Sequence, residues 1–212
     1  MSDEPTRILA IRHGQTAWNA QGIVQGHTDI GLDALGLWQA QRLARALVDE
    51  ELHAIYSSDL SRARETAAPL AARQGLTLRL DAGLRERGFG EFEGYSFAQV
   101  EQRWPHEAAA WRRRDADFGA PGGERLGDFR ERALATVIRL AQAHRGQCIA
   151  LVTHGGVLDA LYRAATRTAL DAPRSWPLAN AGINRLLYSH QGLMQLAWGD
   201  VAHVEAPDPP RS

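Results

Sequence analysis

The sequence predicts an α/β fold, a three-layer α/β/α sandwich around a mostly parallel central sheet, and three observations carry that prediction. Apolar runs of strand length alternate with stretches of helical periodicity, the pattern of a sheet with helices on both faces. Two of the runs, "RILAIRH" (7–13) and "QCIALVTH" (147–154), are continuously apolar instead of alternating, as in strands buried on both sides. At 212 residues the chain suits one domain with a sizeable core, expected to span 1–205.

In chain order, the first strand (7–13) is followed by a helix over 33–50. "LHAIYSS" (52–58) is a second strand, and 61–75 a second helix. "LTLRLD" (76–81) alternates with period two and reads as a further strand. Residues 82–123 mix glycine, aromatics and charge, with one helical patch near 96–114; the segment from about 94 to 121 is read as a small helical insertion covering one end of the sheet. A helix over 124–146 has an acidic start, Arg and His near its end, and Gly146 as a stop. After the 147–154 strand, "NRLLYSH" and "LMQLAWG" predict a closing hairpin turning at Gln191 and Gly192. The tail 206–212 is expected to be disordered.

Composition excludes several classes. Twenty-four basic against 25 acidic residues give a net charge of −1, so nothing global recruits nucleic acid or an anionic membrane. All the basic residues other than histidine are arginine, a bias that GC-rich coding also produces. The single cysteine, Cys148, excludes an internal disulfide and a multi-cysteine zinc site, and its apolar surroundings suggest a small buried hydrophobe. No apolar run approaches 18 residues, and the acidic start "MSDEPTR" is unlike a secretory signal, so a cytoplasmic location is expected.

Chemistry gathers at the ends of the two doubly buried strands, "RHG" (12–14) and "THGG" (153–156). Parallel strands would bring His13 and His154 into one crevice beyond the sheet's carboxyl edge. One histidine at a strand end is more often structural; two, each followed by glycine, point to a site. Backbone N–H groups at such strand-to-helix turns form an anion nest. None of the eight histidines has HxH or HExxH spacing, and "HEAAA" at 106 lacks the second histidine, so no metal is expected. Arg12 beside His13, with Arg62 and Arg64 at another strand-to-helix junction, would repel a dication and attract phosphate. An imidazole nucleophile needs one unprotonated nitrogen, which its other nitrogen secures by donating to a nearby carbonyl, the tautomer expected of His13.

"RHGQTAWN" resembles the RHG[EQ]TxxN signature of the histidine phosphatase superfamily, whose members share the phosphoglycerate mutase fold. Further blocks follow in the family's order: "VQGHTDIGLDALGLWQA", "YSSDLSRARETA", "LRERGFGEFEG", "PGGE" and "LVTHGGVLDAL". The resemblance implies that His13 is the nucleophile and is transiently phosphorylated. Arg12, Arg62 and His154 would hold the phosphoryl oxygens, and Glu86 would be the proton donor, with Glu91 and Glu93 as nearby rivals. Asn19, Gln25, Gly26 and Gly155 are assigned to substrate binding. His154 is expected to act as a cation, its pKa raised by the phosphate dianion. Arg64 is given a surface salt bridge, and Ser58 and Asp59 the capping of the helix that begins near Leu60.

The family contains phosphatases and mutases. A mutase must exclude water and retain a bisphosphate, which calls for a longer, more basic lid than the short segment between Gly94 and Pro121. The favoured reading is therefore a cofactor-independent phosphatase acting on a small phosphate ester. A phosphoglycerate mutase-type isomerase is the alternative, and a non-catalytic phospho-ligand module the third reading. The resemblance also leaves a homodimer open. Of "WRRR" (111–114), at most one or two arginines can reach a single pocket, and Trp104, Trp111, Phe97 and Phe118 are expected to pack the insertion.

Overall fold

A computed structural model describes residues 4–205. Its six-stranded sheet has the order β3-β2-β4-β1-β5-β6. Strands β1 (Thr6–Arg12), β2 (Ala54–Ser57), β3 (Leu78–Leu80) and β4 (Cys148–Thr153) are parallel, and β5 (Ile183–Ser189) and β6 (Gly192–Asp200) add an antiparallel hairpin beside β1. The continuous apolar runs of β1 and β4 have the predicted cause. Ile8, Ala10, Ile149 and Leu151 pack on one face with Phe129, Val137 and Leu158, while Leu9, Ile11, Ala150 and Val152 pack on the other with Leu43, Ala67 and Leu70.

Helix α2 (Ala34–Ala46) buries Gly36, Gln39, Ala40, Leu43 and Ala44, the three-and-four spacing of one apolar face. It and α3 (Ser61–Gln74) cover one side of the sheet; α6 (Leu126–Gln142) and α7 (Gly155–Thr166) cover the other. Two more short helices are α1 (Ala17–Ala20) and α8 (Ala202–Glu205), the latter against α2, where Arg42 donates to His203 O at 2.8 Å. Cys148 is buried and free.

Several expectations are corrected. The helical patch at 96–114 is two helices, α4 (Phe97–Arg103) and α5 (Pro105–Arg113), because Pro105 cannot continue the first and instead opens the second. They enclose a separate small core of Phe92, Val100, Ala108 and Ala120, flanked by Trp104, Trp111 and Phe118. The hairpin turns at His190 and Gln191, one residue earlier than expected; Gly192, at φ +100°, already pairs with Ser189 in β6. Ser58 and Asp59 do not cap α3 from inside the chain turn. Asp29, from a distant loop, accepts from the Ser61 backbone N–H at 2.7 Å and from its hydroxyl at 2.8 Å, which frees Asp59 to pair with Arg85. Arg64 donates to Ser61 Oγ and not to a carboxylate. The tail 206–212 lies outside the described residues. Among those residues no helix is long and apolar enough to cross a membrane.

Candidate active site

Register brings the two histidines together. Arg12 pairs with Thr153 across β1 and β4, so the next residue on each strand, His13 and His154, leaves the sheet side by side. Their rings lie 5.1 Å apart, and both are buried. The strand end is fixed from three sides. The His13 backbone N–H donates to Thr153 O at 2.9 Å, Asn180 Nδ2 donates to His13 O at 3.0 Å, and the Gly14 N–H donates to Thr66 Oγ1 at 2.8 Å.

His13 Nδ1 sits 2.7 Å from the carbonyl oxygen of Gly14. A carbonyl only accepts, so Nδ1 carries the proton and Nε2 is left with a free lone pair. Burial first, and then the Arg12 and Arg62 charges, hold the His13 pKa well below the ordinary histidine range. His154 is held toward the neutral form in the free site; the cation expected of it belongs to a site that holds the phosphate dianion. Arg62 Nε donates to His154 Nδ1 at 3.3 Å, so the ring proton resides on Nε2. Burial, followed by repulsion from Arg62, His13 and Arg12, depresses its pKa well below the ordinary value. His154 Nε2 and Arg12 Nε are both buried donors with no hydrogen-bond partner among the described residues.

The depressed values give the protein a pH signature. Each ring binds a proton more readily in the unfolded chain than in the folded one, so stability is full above the ordinary histidine pKa of about 6.5 and falls as the pH drops below it. Each histidine contributes a slope of up to about 1.4 kcal/mol per pH unit. Denaturant titrations between pH 7 and 5 are expected to show this loss.

Arg62, almost wholly buried in α3, ties the site together. Besides His154 it donates to Gly26 O at 2.8 Å and Thr28 O at 3.1 Å, fixing the loop that carries Gln25 and Gly26. Glu93 holds the same loop from the opposite side. It accepts from the His27 and Phe89 N–H groups on one oxygen and from the Thr28 N–H and hydroxyl on the other. Burial raises the Glu93 pKa, but these donors outweigh it and the net shift is downward. Glu93 is thus a structural carboxylate, and Glu91 is exposed. Thr16 Oγ1 lies 3.0 Å from Gln25 Oε1 and 3.2 Å from Asn19 Oδ1, which aligns both amides.

Of the three carboxylates only Glu86 lines the cavity with His13. One of its oxygens accepts from the Arg87 N–H and the other from the Gly156 N–H in the first turn of α7, both at 2.9 Å. A Cβ on Gly156 would stand 2.1 Å from Glu86 Oε1, whereas one on Gly155 would meet nothing nearer than 3.7 Å. Gly156, which sequence reasoning passed over in favour of Gly155, is the glycine with the tight constraint. Gly156→Ala is expected to displace the carboxylate, press on the Phe129 ring at 3.0 Å and cut kcat by about 10²-fold or more, well beyond the effect of Gly155→Ala. Steady-state kinetics and thermal melts on the pair check this.

His13, Arg12, Arg62, Asn19, Gln25, Gly26 and Glu86 line one well of about 180 Å³, and Gly155 borders an adjoining chamber of about 520 Å³. Sequence reasoning left out Arg87, Arg174, Asp159 and Trp176 of the chamber wall. Of the "WRRR" trio only Arg114 reaches it; Arg112 pairs with Glu101 on the surface. Arg87 donates to Glu124 O and Phe118 O, and burial draws its pKa down to about 10. Among the described residues no three His, Cys, Asp or Glu side chains are grouped to hold a metal ion.

The arrangement is a neutral imidazole flanked by fixed cations and unpartnered N–H donors, which suits a tetrahedral anion. Residues 8–201 match the profile of the histidine phosphatase superfamily (branch 1). The chain is 37% identical to the phosphoglycerate mutase-like protein 4 of Arabidopsis thaliana, covering 93% of this chain and 86% of that one. It is 33% identical to the metal-independent phosphoserine phosphatase of the same plant, covering 97% and 86%. The solved structure of Bacillus stearothermophilus YhfR superposes with a TM-score of 0.86 at 31% identity, over 94% of this chain and 99% of that one. Register, paired histidines and these matches agree: the chain belongs to the histidine phosphatase superfamily.

Proposed function

We propose that the protein is a phosphomonoesterase that hydrolyses small phosphorylated metabolites through a covalent phosphohistidine on His13, with Glu86 as proton donor. The observation that carries this reading is the His13 tautomer, since the hydrogen bond to Gly14 O leaves Nε2 as the unprotonated nitrogen. Nε2 attacks phosphorus as the bond to the leaving oxygen breaks. Protonated Glu86 delivers its proton to that oxygen, releasing the alcohol. Either oxygen of a protonated Glu86 still accepts its backbone N–H. Water then attacks the phosphohistidine, giving one proton to the Glu86 carboxylate, and inorganic phosphate leaves with Nε2 restored.

Charge in flight rests on the three equatorial oxygens, so positioning and electrostatics supply most of the catalysis. Arg12, Arg62 and the Nε2–H of His154 are the donors for those oxygens. Two short helices of the 97–113 segment form the cover, too small a lid to shield the phosphohistidine from water, and this favours hydrolysis over transfer to a second hydroxyl. The phosphoserine phosphatase among the relatives supports the same direction. The test is inorganic phosphate release from a panel of phosphomonoesters with a chelator present. Hydrolysis without bisphosphate stimulation is expected. Interconversion of 3- and 2-phosphoglycerate that requires a bisphosphate primer would instead establish the isomerase.

A further inference from the structure

The chamber beyond the phosphoryl well carries charge that the chemistry at His13 leaves unused. It shares Arg12, Glu86, Phe89 and Trp111 with the well, so a leaving group attached to a phosphoryl at His13 extends into it. Three further guanidiniums face this space, from Arg87, Arg114 and Arg174, against one further carboxylate, Asp159, besides the shared Glu86. Arg114 and Arg163 both meet Asp159 Oδ2, the latter at 2.9 Å, while its buried Oδ1 has no partner among the described residues. Arg114 ends α5 in the left-handed conformation (φ 57°) and also donates to Leu170 O at 2.7 Å. The wall therefore has a surplus of positive charge before any ligand arrives.

Arg174 differs from the other two. It is exposed and has no hydrogen-bond or carboxylate partner among the described residues, whereas Arg87 donates to two carbonyls and Arg114 to a carbonyl and Asp159. Its loop is nevertheless held at both ends. Arg163 donates to Ala169 O and, at 2.9 Å, to Ala172 O, and Arg12 donates to Leu178 O. The same Arg12 that borders the phosphoryl well thus fixes the loop that presents Arg174. The three cations are near enough to repel: burial first, and then the charge on Arg174, lowers the Arg12 pKa, and after burial and Arg163 the same charge lowers that of Arg114.

Building on the phosphomonoesterase reading, we propose that the outer chamber is a second anion site, with Arg174 its specificity-determining residue, and that the substrate's leaving group carries a carboxylate. The one unpartnered guanidinium, in a wall where Asp159 and Glu86 offset part of the remaining charge, matches a single negative charge; a second phosphate dianion would call for two. A fork of N–H donors suits a planar carboxylate, and a hydrogen bond between charged groups is worth enough for about tenfold or more in affinity. Binding at this distance from the reacting atoms also orients the ester for attack.

The test uses two esters of one carbon skeleton, 3-phosphoglycerate and sn-glycerol 3-phosphate, which differ in a carboxylate against a neutral hydroxymethyl group. The wild type is expected to favour the first by at least about tenfold in kcat/KM. Arg174→Ala should collapse that ratio about tenfold, through the KM for 3-phosphoglycerate, and Arg174→Glu should collapse it further. Arg174→Lys should recover part of it, since charge remains without the fork. A wild type indifferent to the carboxylate, or a ratio that survives in Arg174→Glu, overturns the second site. p-Nitrophenyl phosphate separates the two levels of inference. If it is hydrolysed while the ratio stays flat, the esterase reading stands and the carboxylate site falls; if no ester is hydrolysed, both fall.

Discussion

Replacing His13 with alanine is expected to lower turnover of any efficient phosphomonoester substrate by about 10⁴- to 10⁶-fold, the scale on which enzymes lose a covalent nucleophile. The loss should fall on kcat, because Arg12, Arg62 and His154 would still bind the phosphoryl group. The folded state should survive. The ring's one hydrogen bond is to the adjacent residue's carbonyl, and the strand end is held by backbone and by Asn180. Removing a buried imidazole with a depressed pKa also removes its proton linkage, so the acid-side loss of stability between pH 7 and 5 should become shallower by up to about 1.4 kcal/mol per pH unit. Kinetics and pH-dependent denaturation on one variant thus report the chemical and the electrostatic role separately.

The second large effect is expected at Arg62, where catalysis and stability are coupled. Arg62→Ala removes a phosphoryl donor, worth about 10²- to 10³-fold by analogy with a single oxyanion contact. It also leaves the Gly26 carbonyl without a partner, takes from Thr28 O one of its two donors and releases His154 Nδ1. Together with the space left behind, this should cost about 2–5 kcal/mol of folding free energy. Arg62→Lys keeps the charge but cannot reach three acceptors at once, so activity should fall nearly as far while stability falls less. Chemical denaturation and kcat/KM on both variants check the separation. Equal stability loss in the two would mean that the charge of Arg62 contributes nothing to folding and its fork of hydrogen bonds everything.

The parts of the site legible in the sequence were those in which one strand's pattern determines one residue's position. Continuous apolarity marked β1 and β4 as doubly buried and parallel, which was enough to bring His13 and His154 to one edge. The tautomer of His13 followed from the needs of a nucleophile. Features set by distant partners were not legible. The state of His154 depends on Arg62, 92 positions earlier. The cap of α3 comes from Asp29, and no local pattern announces it. Nothing separated Gly155 from Gly156 before Glu86 was placed against α7. Arg114 resembled its neighbours in "WRRR", yet it reaches the chamber because α5 ends there in a left-handed residue. Arg174 and Trp176 lie in a loop with no periodicity, and distant contacts, among them those of Arg163 and Arg12, fold that loop over the site.

All of these roles depend on the lone pair at His13 Nε2. Mixing the enzyme with a ³²P-labelled ester, quenching within milliseconds and mapping the label is the direct measurement. The result expected is a phosphoryl adduct on His13 that is stable to base, labile to acid and absent from His13→Ala. Full turnover with no labelled protein at any quench time, or a label on another residue, would contradict it.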